Sequence, residues 1–155
     1  MIDDLYSARI RTLAPNMPQA GRLTAPVGPG LMVPIRVVSK PIVDVVIDDQ
    51  GRVTDFAQEV KACALGQAGA GVVGEAAIGA TEPEIEAARD AMLAMLKSGG
   101  EGPTGRFEGL RILKQVADYP ARHASSMVAI EALLEAVRQA LKHHTDTRTN
   151  IAGAA

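Results

Sequence analysis

Soft metal ligands are scarce in this chain. Its 155 residues include one cysteine, Cys63, and three histidines. A single thiol excludes an intramolecular disulfide and points to a reducing compartment. Tryptophan is absent and aromatic residues make up 3% of the sequence. The core must therefore be assembled from Leu, Ile, Val, Ala and Met. Long apolar runs are missing too. The least polar stretch, residues 62–80, is rich in Gly and Ala and is interrupted by Gln67 and Glu75, which does not read as a membrane span. The net charge is −2, and Lys and Arg are scattered along the chain, unlike the basic footprint of a nucleic-acid binder. Met1-Ile2-Asp3-Asp4 is acidic and lacks the basic-then-apolar layout of a signal peptide. These absences lead us to expect a soluble cytoplasmic protein whose partners are neither nucleic acid nor membrane.

What is present suffices for one globular domain, since 47% of the residues are hydrophobic. Residues 2–14 read as an amphipathic helix with Ile2, Leu5, Tyr6, Ile10 and Leu13 near one face. Prolines 15, 18, 26 and 29 make the following stretch an irregular arm. Leu31 to Val38, Pro41 to Asp48 and Arg52 to Val60 are apolar and β-branched, which predicts strands. Asp48-Asp49-Gln50-Gly51 supplies a tight turn between the last two. The short connections predict an antiparallel meander.

Helical patterns follow. Residues 64–76 predict a Gly/Ala helix able to sit very close to its neighbour. Thr81-Glu82-Pro83-Glu84 has capping-box spacing and opens a helix to about Leu96, with Ile85, Ala88, Met92 and Met95 as its stripe. Phe107 to Ala117 reads as a short helix. Pro120 precedes a last, strongly amphipathic one bearing Ile130, Leu133, Leu134, Val137 and Leu141. The fold class is α+β, a three-stranded antiparallel sheet packed against helices. We expect a single domain over residues 1–144 and a flexible tail over 145–155.

Cys63 falls where a strand-like segment gives way to the Gly/Ala helix. Backbone N–H groups and the helix dipole favour a thiolate at such a junction, and the thiolate is the form that binds metal or attacks sulfur. The competing reading is packing, because free cysteine is among the most buried residue types. Gly66, Gly69 and Gly71 lack the order of a dinucleotide fingerprint and read as close helix packing. His123 begins the last helix and could approach Cys63. His143 and His144 lie at its other end, about 30 Å away at 1.5 Å per residue, where they suit the helix C-terminus. Asp48-Asp49 is explained by the turn, and Glu82, Glu84 and Glu86 by a solvated helix start.

The order of these features resembles the NifU-like (IscU-type) iron–sulfur cluster assembly scaffolds over roughly residues 3–142. The resemblance is carried by Asp4-Leu5-Tyr6, by Asp48 to Phe56, and by Ala62-Cys63-Ala64-Leu65-Gly66-Gln67-Ala68. Ile78-Gly79-Ala80-Thr81 and Tyr119-Pro120-Ala121-Arg122 carry it further. In that family three cysteines and an Asp or His converge on zinc or a nascent iron–sulfur cluster, and a cysteine desulfurase delivers sulfur to one thiolate. The resemblance matches Cys63 to the second family cysteine. Counting back from Gly51-Arg52 places Val37-Val38-Ser39 at the first motif, with Val37 at its cysteine position. Ser125 stands at the third, and His123 lies two positions before it.

Two readings follow. In the first, the chain is a scaffold homologue and not an enzyme. It binds iron, zinc or a nascent cluster, or accepts sulfur, through Cys63. Ser125, His123 and Ser39 serve as auxiliary ligands, a desulfurase-type protein as sulfur donor, and residues from a partner or a homodimer complete the set. In the second, it is an interaction module that keeps the scaffold fold and docks onto assembly partners without a cluster. A third, a thiol enzyme with Cys63 as nucleophile and His123 as base, needs the two within hydrogen-bonding reach.

Overall fold

A computed structural model describes residues 35–38, 42–59 and 64–153, with backbone alone at 35–38 and 144–153. The expected helix at 2–14, the proline-rich arm, Ser39 and Cys63 lie outside the described residues. Among the described residues no helix is long and apolar enough to cross a membrane.

The sheet is antiparallel. β2 (Ile42–Ile47) pairs with β3 (Val53–Glu59), and the backbone of β1 (Ile35–Val38) runs antiparallel along the other side of β2. Val43, Val45 and Ile47 alternate with Asp44 and Val46, yet all five are buried. Both faces of β2 are therefore covered, which explains its nearly continuous apolar run. The hairpin turn forms as the sequence predicts. Asp48 Oδ1 accepts from the N–H groups of Gln50 at 2.8 Å and Arg52 at 3.0 Å. Gly51 adopts φ +78°, a conformation that disfavours other residues. The register slips between Val46 and Ile47.

α1 (Ala64–Ala76) is buried along most of its length. The loop behind it pairs with β3: Gly79 N–H donates to Val53 O at 2.7 Å and Val53 N–H to Ala80 O at 2.9 Å. Arg106 holds this loop from outside, donating to Ile78 O at 2.9 Å and to Glu84 at 3.3 Å. α2 (Glu82–Ser98) buries Ile85, Ala88, Met92, Met95 and Leu96, the expected stripe plus one residue. Its capping box is rearranged. The Thr81 hydroxyl donates to the Glu84 carboxylate at 3.2 Å rather than accepting from a backbone N–H. Glu84 feels opposing influences: burial raises its pKa, while Arg106 and Thr81 hydrogen bonds lower it further, and it ends below the usual value. Gly99 ends the helix at φ +72°.

Residues Gly105–Asp118 form the short helix the apolar pattern suggests, wound as 3₁₀ and kinked at Phe107. Its buried residues are Phe107, Leu110, Leu113 and Val116. Beyond the kink, Leu110, Leu113 and Val116 are spaced by three, matching three residues per turn, so one side of the 3₁₀ helix carries them. A 3₁₀ turn at Pro120–Arg122 leads into α3, His123–Gly153. α3 packs on α1, α2 and β2, burying Met127, Ile130, Leu133, Leu134 and Val137 among others.

Candidate functional site

The middle of α1 is fixed from two sides. From the sheet, the buried Gln58 side chain donates through Nε2 to Ala70 O at 2.9 Å. Gln58 sits opposite Val43, and Val43 opposite Val37, so positions 37, 43 and 58 form one row across the strands. From the other side, α3 approaches at Gly69. A Cβ built there would lie 3.3 Å from Ser126 O and 3.6 Å from Leu113 Cδ1. The first turn of α3 and the middle of α1 are therefore nearly in backbone contact, as the small-residue pattern predicts. Gly69 is five residues from Ala64, about 7.5 Å of helix rise, and Cys63 immediately precedes Ala64 in the chain.

The proposed auxiliary residues fare differently. Ser125 is half-buried in the first turn of α3, and its neighbour Ser126 is buried with its hydroxyl donating to Arg122 O at 3.0 Å. His123 is half-buried, and its Nε2 lies 3.0 Å from Val116 O and 3.2 Å from Ala117 O. Carbonyl oxygens only accept, so Nε2 is the protonated nitrogen. It caps the carbonyls at the end of the 3₁₀ segment. Val37 is described by its backbone in β1, and Ser39 and Cys63 fall outside the described residues. Among the described residues, no three His, Cys, Asp or Glu side chains are grouped to hold a metal ion.

Two residues that frame this region carry little sequence signal. Gln58 announces itself only as one of two adjacent polar residues, Gln58 and Glu59, at the end of β3. The approach of α3 at Gly69 depends on tertiary packing, and no local pattern marks which of the glycines in α1 receives it.

The class of protein these elements define is an α+β domain with helices laid against an antiparallel sheet. No family model matches this chain, and no curated protein does. Solved structures match along nearly its whole length. It is 44% identical to a nitrogen-fixing NifU-like protein (N-terminal) from Brucella abortus, covering 91% of this chain and 97% of that one, with a TM-score of 0.79. The fold is shared with a hypothetical protein at 21% identity, over 88% of this chain and 98% of that one, with a TM-score of 0.64. It is shared again with a protein from the thermophile Fervidobacterium islandicum described as an iron–sulfur cluster assembly scaffold for the SUF system. That match has 20% identity, covers 86% of this chain and 96% of the other, and has a TM-score of 0.62. The chain belongs to the family of NifU-like N-terminal proteins.

Proposed function

We propose that this chain works in iron–sulfur cluster assembly as a scaffold homologue, not as an enzyme. Cys63 is the thiolate that takes sulfur or iron, or contributes to a nascent cluster. The observation that carries this reading is the 44% identity to a NifU-like protein across 91% of the chain. The scaffold description of the Fervidobacterium protein, which shares the fold, agrees with it. Thiolates suit iron and zinc, and a helix N-terminus favours the thiolate form. Ser125, Ser39 and His123 are the auxiliary donors, His123 through Nδ1 because Nε2 is engaged. The sulfur donor is a cysteine desulfurase-type partner, and a homodimer brings a second copy of the site. The working unit is a cytoplasmic NifU-like domain of residues 1–144 with a three-stranded sheet, followed by the tail 145–155. Intact-mass measurement after incubation with a desulfurase and cysteine tests this. Wild type gains a sulfur adduct on Cys63 and Cys63→Ser gains none, whereas an unmodified wild type would count against the reading.

The second reading is favoured by Val37 and Ser125 standing where the family resemblance expects cysteines. Under it the domain docks onto assembly partners without holding a cluster. Partner capture that survives Cys63→Ser, with no sulfur adduct on wild type, would select it.

A further inference from the structure

We infer that this chain holds no iron–sulfur cluster with its own side chains: it offers cargo one thiolate, and any cluster it carries is completed by ligands from outside the chain. The inference rests on the assembly reading above and narrows it. Biological clusters are held by four protein ligands, mostly thiolates with imidazole as the common substitute. The chain has one thiol and three imidazoles.

The imidazoles do not make up the deficit. His143 lies twenty residues beyond His123 on the same helix, about 30 Å away, and His144 lies beside it. His123 is the one that starts α3, and its Nε2 is turned to the carbonyls of Val116 and Ala117. A protonated nitrogen has no lone pair to give a metal. Even with Nδ1 counted, Cys63 and His123 supply two ligands of the four. The hydroxyls do not close the gap either. Ser126 is buried with its proton donated to Arg122 O, and a neutral serine oxygen is a hard donor poorly matched to cluster iron. A valine at position 37 has no donor atom to offer.

The test is anaerobic reconstitution of the full chain with ferrous iron and sulfide, without added thiol, followed by desalting and measurement of bound iron and visible absorption. The expected result is no cluster absorption and about one tenth or less of the iron that one cluster per chain requires, in wild type and Cys63→Ser alike. Retention that appears only when a low-molecular thiol is added, and disappears in Cys63→Ser, also supports the inference, because the added thiol then supplies the missing ligands. A stoichiometric cluster retained by wild type without added thiol overturns it. Sulfur uptake at Cys63 is read separately by intact mass. Loss of that uptake would sink the assembly reading, while a thiol-independent cluster would sink only this inference.

Discussion

α1 approaches α3 closely at Gly69, and a substitution series there tests this packing. A methyl group at this position would lie 3.3 Å from the Ser126 carbonyl oxygen. That oxygen belongs to the backbone, so relief requires a shift of α3 by a few tenths of an ångström. Gly69→Ala should gain about 1 kcal/mol of helix propensity and lose about 1 kcal/mol to overpacking. The net is expected within about 1 kcal/mol of zero. Gly69→Val adds two methyl groups reaching about 1.5 Å further, and β-branching removes much of the propensity gain. Its overpacking cost of about 3 kcal/mol is then scarcely offset. With a slope of about 1.5 kcal/mol/M, that loss lowers the urea midpoint by about 2 M. Circular-dichroism urea titrations of the three proteins measure this. A Val variant that unfolds within about 0.3 M of wild type would refute the close approach.

Three further outcomes follow from the same packing. A Cβ at Gly109 would lie 3.0 Å from Val72 Cγ1. Gly109→Ala should therefore cost about 1–2 kcal/mol, and Val72→Ala in the same chain should recover about 1 kcal/mol relative to additivity in a double-mutant cycle. His123→Ala removes the donor to the Val116 and Ala117 carbonyls and should cost about 1 kcal/mol in thermal unfolding, with partial rescue by Gln. The Asp48 carboxyl is held below its usual 3.8 chiefly by the Arg52 N–H. Glu84 sits below its usual 4.5 despite burial, through the Arg106 and Thr81 hydrogen bonds. A lowered folded pKa means that the unfolded chain takes up protons first, so this stability is complete above the usual values and is lost as pH falls through the lowered ones. Urea midpoints from neutral pH down into this acid range should fall less steeply for Asp48→Asn with Glu84→Gln than for wild type, and an unchanged slope would contradict the assignment.

Much of the fold is legible because local chemistry and global packing agree. Asp48, Asp49 and Gly51 specify a turn whatever surrounds them, and the structure forms it. α1 spans Ala64–Ala76, the range the small residues suggest, and Met92 and Met95 bury as the helical period of α2 requires. The 3₁₀ winding of the short helix is not legible, because Leu110, Leu113 and Val116 satisfy an α-helical stripe almost as well as a three-residue one. Thr81 and Glu84 meet as their spacing implies, but Arg106, remote in sequence, draws the carboxylate into a different set of bonds. The small residues of α1 announce close packing, though not that α3 meets the helix at Gly69. The engagement of His123 is not legible, since its partners are two backbone carbonyls, and carbonyls leave no mark in a sequence.

Ferrous-ion binding to wild type and Cys63→Ser under anaerobic conditions bears most directly on whether this thiolate is the working group. We expect wild type to bind with an affinity at least about tenfold above the variant, a difference of about 1.4 kcal/mol. Superimposable isotherms for the two proteins would contradict the account.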